Sequence, residues 1–333
     1  MASARKLISI ITPCFNEEQN VEACCRALRQ TMETSLPEYD YEHILADNAS
    51  SDGTVSILRK MAAQDMCLKI IVNSRDVGPF RNTFNALKST SGDAVVVLFA
   101  TDLQDPPEVI VDFVRAWEQG FPIVYGVRSK REEAWWLRNV RKAYYRLVRR
   151  MANIDIPVDA SEFQLIDRSV VDSVSGVDDY YPYIRGLIAQ TGLKAKGIPY
   201  TWRRRQKGNS KNNLFDLVDQ GLNGLISTSV APLRIAIFVG TATAILSLVY
   251  AVGSLIINLV TQDLSPPGIA TLVVALFFFG GIQLLAIGLL GEYVLAIHQQ
   301  LRRGPSLFEV ERINFDEASS SHDSPAPRQH KPR

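Results

Sequence analysis

A few short polar segments hold the residue types that handle charged ligands, and most of them directly follow an apolar run. The most specific is Thr101-Asp102-Leu103-Gln104-Asp105-Pro106-Pro107, after the very apolar stretch Ala94–Phe99. Asp102 and Gln104 offer side-chain oxygens two positions apart. Hard divalent cations, Mg2+ or Mn2+, take such oxygens together with the phosphates of a substrate. The plain alternative is that Asp105 caps a helix opened by Pro106 and Pro107.

A second segment, Asp47-Asn48-Ala49-Ser50-Ser51-Asp52-Gly53-Thr54, has the small and acidic residues of a tight turn that can hydrogen-bond a ribose or a base. Alone, it is equally an ordinary turn before a helix. A third, Thr12-Pro13-Cys14-Phe15-Asn16-Glu17-Glu18, reads by itself as a helix start with acids in the first turn. The fourth runs from Arg203 to Lys211 and sets Gly208 and Ser210 among basic side chains. A flexible turn with backbone and hydroxyl donors beside Arg suits a diphosphate. Near a bilayer, the same residues serve as contacts to lipid headgroups.

These segments need a frame. Leu7–Ile11, His43–Ala46, Leu68–Val72, Ala94–Phe99 and Ile123–Val127 read as strands. Glu17–Met32, Thr54–Ala63, Phe80–Lys88 and Glu108–Gln119 read as the helices between them. Such alternation predicts a mostly parallel sheet with both faces covered. Ligands of these sheets sit beyond the carboxyl ends of the strands, which points to the loops after Ile11, Ala46 and Phe99.

The second half differs in character. Ile235–Val260 and Gly268–Gly291 contain no charged residue. At 1.5 Å per residue the first is about 39 Å long, enough to cross a hydrocarbon core with some tilt. The connection Thr261–Pro267 has an acidic residue and no basic one, whereas Lys211, Arg234, Arg302 and Arg303 lie on the far sides of the two runs. Both termini are therefore expected in the cytoplasm. The apolar run near the N-terminus is too short for a signal peptide, which agrees with that placement.

Ala134–Met151 reads as a basic, aromatic helix suited to a membrane interface, either as a surface anchor or as part of a phosphate site. Lys211–Ile226 reads as a further amphipathic helix. The resulting expectation is a catalytic domain over 1–210, a juxtamembrane helix over 211–232 and a hairpin over 233–298. A cytoplasmic segment, 299–315, and a disordered tail, 316–333, follow. The net charge of +1 gives no reason to expect a nucleic-acid partner. Cys14, Cys24, Cys25 and Cys67 fall on strand- or helix-like runs and are expected as buried thiols in a reducing compartment.

In their order along the chain, these pieces resemble the family 2 glycosyltransferases, in the branch that makes polyprenyl-phosphate sugars. Dolichyl-phosphate mannose synthase, bactoprenol glucosyltransferases and undecaprenyl-phosphate aminoarabinose transferase are of that branch. The markers are TPCFNEE, DNASSDGT, TDLQDPPE, RRRQKGNSK and, after the apolar runs, GEYV and RRGPSLFEVERINF. They cover residues 6 to 315. The resemblance implies an α/β, GT-A-like nucleotide-sugar-binding domain followed by a two-helix transmembrane hairpin. It implies donor contacts from Pro13, Phe15, Glu17, Asp47, Asn48, Asp102, Arg205 and Ser210, and a divalent metal held by Asp102 and Gln104. Arg128, with Arg138 and Arg141, would meet the acceptor phosphate.

The implied reaction is inverting transfer from UDP-glucose, or a similar UDP-sugar, to undecaprenyl phosphate on the cytoplasmic face of an inner membrane. A GDP-mannose-dependent mannose synthase and a scaffold without turnover are the alternatives. Copies of the hairpin can be expected to pack through Gly280, Gly281 and Gly288. Two positions depart from the family pattern: Ala100 stands where an acid is common, and Asn48 where a second Asp is usual. A phosphate acceptor is already ionised at neutral pH, so losing a potential base at position 100 is tolerable.

Overall fold

The computed structural model describes residues 5–128, 160–177, 182–203, 231–261, 269–301 and 307–315. Its first half runs β1 (Leu7–Cys14), α1 (Val21–Ser35), β2 (Asp40–Asp47), α2 (Thr54–Ala62), β3 (Leu68–Asn73), α3 (Pro79–Lys88), β4 (Ala94–Val97), α4 (Val109–Glu118) and β5 (Ile123–Arg128). There follow β6 (Ala160–Asp167), α5 (Arg168–Ser175), α6 (Ile184–Gln190), β7 (Ala195–Tyr200), α7 (Ala231–Thr261), α8 (Ile269–Leu301) and β8 (Glu309–Ile313).

The strands form one eight-stranded sheet in the order β7-β5-β6-β4-β1-β2-β3-β8. The pairs β1–β2, β1–β4, β2–β3 and β5–β7 are parallel. The pairs β4–β6, β5–β6 and β3–β8 are antiparallel. Side-chain alternation sorts the core. Ile8, Ile10 and Val96 meet Leu28 of α1 and Phe113 of α4 on one face. Ile11, Val95 and Val97 meet Phe84 and Leu87 of α3, with Val170 and Ile188, on the other. A satellite cluster gathers Leu45, Ile70 and Val72 under Cys25 and Leu58. Phe113 and Phe163 are fully buried with ring centroids 4.9 Å apart. Burying such a side chain contributes about 1.5–3 kcal/mol.

The expected alternation of strands and helices through β5 is present, with several corrections. The helix expected from Glu17 starts at Val21, preceded by a tighter turn in which the Asn20 N–H donates to the Glu17 carbonyl. The strand expected to Phe99 ends at Val97. Cys67 is exposed in a turn, while Cys14, Cys24 and Cys25 are buried as expected. β6, β7 and β8 add three strands to those that the sequence pattern predicts.

The chain divides into two compact units. The first holds the sheet and its helices. The second holds the long helices α7 and α8, whose large apolar side chains, such as Phe238, Leu246 and Leu272, are widely exposed. Among the described residues, the window Phe278–Leu295 of α8 is long and apolar enough to cross a membrane, and a shorter apolar stretch, Ala236–Ser247, lies in α7. The basic helix expected over 134–151, the amphipathic stretch 211–226 and the connection 262–268 lie outside the described residues.

Candidate active site

β1, β2 and β4 run side by side and parallel, so their carboxyl ends deliver three loops to one edge of the sheet. These are the loops the sequence singles out. The first two are laced together. The Asn16 N–H donates to Ser50 Oγ (2.8 Å), and Ser51 N–H donates to Asn16 Oδ1 (2.8 Å). Glu17 N–H donates to Thr54 Oγ1 (2.9 Å), and Gly53 N–H to Glu18 Oε2 (2.9 Å). Pro13, in β1, lies opposite Ala46, one position before Asp47. Phe15 is exposed at the surface of this edge, and Glu17 is half-buried.

Asp47 is fully buried, and its carboxylate accepts the Ser50 N–H at 2.9 Å. Burial pushes its carboxyl above the ordinary value, and the hydrogen bonds from Ser50 pull the other way. Asn48 is also buried. Its amide donates to Asp76 Oδ1 (2.5 Å) and accepts the Val77 N–H (3.0 Å), which holds the loop after β3 against the end of β2.

The third loop spans Leu98 to Asp105. It is anchored where the Phe99 N–H donates to the Ile11 carbonyl at 2.8 Å. Asp102 Oδ1 accepts the Gln104 N–H at 3.2 Å, and both side chains are half-buried. Asn16, Ala49, Leu98 and Leu103 all take positive φ, between 55° and 62°. Left-handed backbone costs an L-residue about 1–2 kcal/mol. Four such residues in the three loops at one sheet edge mark a place where backbone shape is held against local preference.

Asp105 does not cap α4. That helix begins at Val109 with no side-chain cap at its N-terminus. Asp105, only 2% exposed, instead accepts a short hydrogen bond from the Tyr200 hydroxyl and pairs with Arg128 Nη2 at 3.5 Å. Burial raises its carboxyl, and the Tyr200 hydrogen bond and the Arg128 charge oppose that. Arg128 closes β5, and its Nε donates to the Tyr200 hydroxyl at 3.2 Å. Its guanidinium lies 4.8 Å from the centre of the Trp202 ring. Burial and the Asp105 charge together push the Tyr200 phenol up to about 12. Glu162 sits close by: burial raises its carboxyl, and Arg185 and Arg128 lower it.

The structure thus brings Pro13, Phe15, Glu17, Asp47, Asn48, Asp102 and Gln104 to one edge of the sheet, and it links Arg128 to the third loop through Asp105. Arg138, Arg141, Arg205 and Ser210 lie outside the described residues. Among the described residues, no three His, Cys, Asp or Glu side chains converge as a metal-binding group. The donor set at Asp102 and Gln104 is a carboxylate and an amide, both hard oxygen ligands and too few for an all-protein cage. That chemistry fits a small divalent cation completed by substrate phosphates.

Sequence reasoning missed Tyr200, Trp202 and Glu162 as members of this edge. The aromatic pair just before the basic run at 203–211 was the available signal for the first two.

A family model described as glycosyl transferase family 2 matches residues 9–175. An uncharacterized glycosyltransferase of Synechocystis sp. is 32% identical over 90% of this chain and 93% of its own length. A bactoprenol glucosyl transferase of Shigella phage SfII is 30% identical over 90% of this chain and 96% of its own. A mannosyltransferase of Pyrobaculum calidifontis, solved with GDP-Man and Mn2+, covers 91% of this chain and 89% of its own. With a TM-score of 0.47 and 17% identity, that structure is too distant to inform the chemistry. The match over half the chain and the full-length relatives agree with the loops at the sheet edge: this protein belongs to glycosyl transferase family 2.

Proposed function

We propose that the enzyme transfers a sugar from a nucleotide-sugar to a polyprenyl phosphate, with inversion at the anomeric carbon. UDP-glucose is the first donor to test and undecaprenyl phosphate the first acceptor. The observation that carries this reading is the meeting of Asp105 and Arg128. One short loop bears the candidate diphosphate-side residues Asp102 and Gln104 and, at its other end, grips an arginine suited to a second phosphate. Relatives named for bactoprenol glucosyl transfer, 30% identical over 90% of the chain, support the same acceptor class.

Each residue has a physical task under this reading. Pro13, Phe15, Glu17, Asp47 and Asn48 frame the nucleotide, with Arg205 and Ser210 near its diphosphate. Asp102 and Gln104 hold Mg2+ or Mn2+, which when bound neutralises charge on the leaving diphosphate. Arg128, with Arg138 and Arg141, fixes the acceptor phosphate for in-line attack on C1. That phosphate is ionised at neutral pH, so no side chain needs to take its proton, and Ala100 is no obstacle. Positioning is then the main work of the protein.

A prenyl chain has to remain in lipid while its phosphate reaches the sheet edge. We therefore read α7 and α8 as a two-span hairpin, with the sheet and both termini on the cytoplasmic side. The test is a panel of nucleotide-sugars assayed with the membrane-embedded enzyme, divalent metal and undecaprenyl phosphate, with the lipid product weighed by mass spectrometry. A new prenyl-linked hexose and released nucleoside diphosphate are expected. Folded protein that glycosylates a soluble acceptor, and no prenyl phosphate under any donor, would overturn the reading.

A further inference from the structure

We infer that Asp105 and Tyr200 are a positioning pair that aims the Arg128 guanidinium at the acceptor phosphate and ties it to the Asp102–Gln104 loop. The inference rests on the polyprenyl-phosphate reading and assigns roles to two residues that the sequence motifs left without one.

The geometry is an arc of contacts around one guanidinium. Tyr200 Oη accepts from Nε at 3.2 Å. Asp105 Oδ1 pairs with Nη2 at 3.5 Å. The Trp202 ring covers the group with its centre 4.8 Å away. Among the described residues, Nη1 has no hydrogen-bond partner. An arginine side chain is long and many-jointed, and holding its planar fork beforehand improves its grip on a two-oxygen anion.

The chemistry of the two partners is complementary. The Tyr200 hydroxyl accepts from Arg128 and donates to Asp105, so it completes the arc without adding charge. A second carboxylate in its place would repel the incoming phosphate. Asp105 is almost fully buried, so its charge is directed at the arginine rather than spent on water. Both strands that carry the arc are in register, with Arg128 of β5 opposite Tyr200 of β7.

The same strand exit also reaches the metal-type loop. The Arg203 N–H donates to the Gln104 carbonyl at 2.9 Å. Asp105 is the next residue of that loop. The end of β7 thus supports the candidate donor-side oxygens and the candidate acceptor-side arginine at once, and a shift at either is felt at the other.

The test uses full-length enzyme in lipid nanodiscs, with undecaprenyl phosphate and a donor that the panel has shown to react. Tyr200→Phe removes only the hydroxyl. It should raise the acceptor KM about ten-fold, with a smaller change in the donor KM, in protein that still melts cooperatively although its midpoint drops with the lost hydrogen bond to buried Asp105. Asp105→Asn should act in the same direction. In an Arg128→Ala background neither change should add a further loss, because the residue they aim is gone.

A wild-type acceptor KM in folded Tyr200→Phe would overturn the pair. So would losses from Tyr200→Phe and Arg128→Ala that multiply in the double variant. Tyr200→Phe keeps the test decisive if Asp105→Asn fails to fold. A wild-type enzyme that makes no prenyl-linked sugar overturns both readings together, whereas an active wild type with an unchanged Tyr200→Phe overturns the pair alone.

Discussion

The amide of Asn48 and the carboxylate of Asp76 form a hydrogen bond of 2.5 Å, with the Asn48 nitrogen as donor. Asp76 Oδ1 accepts the Gly78 N–H as well, at 2.8 Å. An aspartate at position 48 would bring a second acid to this spot and remove the donor. Asn48→Asp is therefore expected to cost about 1–3 kcal/mol of stability. Two facing carboxylates raise a folded-state pKa above its unfolded value of about 3.9. The variant should then sit closest to wild type below that pH and lose stability as pH rises through the raised value. Thermal unfolding of both proteins at pH 4 and pH 8 checks this, and an equal gap at the two pH values would reject it.

His43 titrates with the opposite sign. It is 2% exposed, its Nε2 lies 2.8 Å from Thr12 Oγ1, and burial pushes the imidazole down to about 3. The folded state takes up a proton less readily than the unfolded chain, whose histidine titrates near 6.5. Stability is full above that pH and falls as pH drops toward the folded value, by about 2 kcal/mol at pH 5. His43→Gln should shrink the loss between pH 7 and pH 5 in urea unfolding. An unchanged slope would mean that other groups set the acid limit.

At the third loop, Asp102→Asn should nearly abolish turnover, since losing charge stabilisation at a leaving diphosphate removes several kcal/mol of barrier lowering. Ala100→Asp should change the rate little, because the acceptor needs no base. Release of nucleoside diphosphate, measured on protein with a wild-type melting curve, gives both answers. Near-normal rates in Asp102→Asn would move the metal elsewhere.

The C-terminal strand is held by unequal contacts. Asn314, at φ 62°, donates its amide to the carbonyls of Ala62 (2.9 Å), Asp65 (3.2 Å) and Leu68 (2.8 Å). Asn314→Ala leaves those acceptors short of a partner and should cost about 1–3 kcal/mol. The Arg59–Glu311 pair is closer, at 2.5 Å, but its side chains are 53% and 32% exposed. Arg59→Ala should therefore shift the melting point less than Asn314→Ala does. A reversed order in the two melting shifts would contradict this ranking.

For the helices, a reporter inserted after Ser265 should be found outside the cytoplasm and one fused at Arg333 inside. The uncharged runs and the basic residues beyond them motivate this. Both reporters on one side would reject the two-span arrangement.

The strands legible in the sequence share a feature: Ile44–Ala46, Ile70–Val72 and Val95–Val97 are apolar on both faces, and so is Ile8–Ile11 but for the buried Ser9, as buried parallel strands require. β8 lies in the segment 299–315, where Glu309, Glu311 and Arg312 leave no run of apolar residues to mark a strand. Their charges are in fact paired with Asn85, Arg59 and each other at the sheet edge. The positions of Asp102 and Gln104 at a strand end were legible from local pattern. The Asp105–Tyr200 contact was not, because it joins residues 95 positions apart through the pairing of β5, β6 and β7.

β8 has a further consequence of its own. The long helices α7 and α8 intervene in the chain between β7 and β8, yet both strands belong to the same sheet. A polypeptide that leaves a folded body and later rejoins it must return to the side from which it left. Any bilayer crossings in between are therefore even in number. One crossing, through α8 alone, would strand Glu309–Ile313 across the membrane from β3. This parity owes nothing to arginines or lysines: if the helices span a bilayer, recharging their flanks can invert the whole enzyme, but it cannot reverse one helix alone while β8 stays paired with β3.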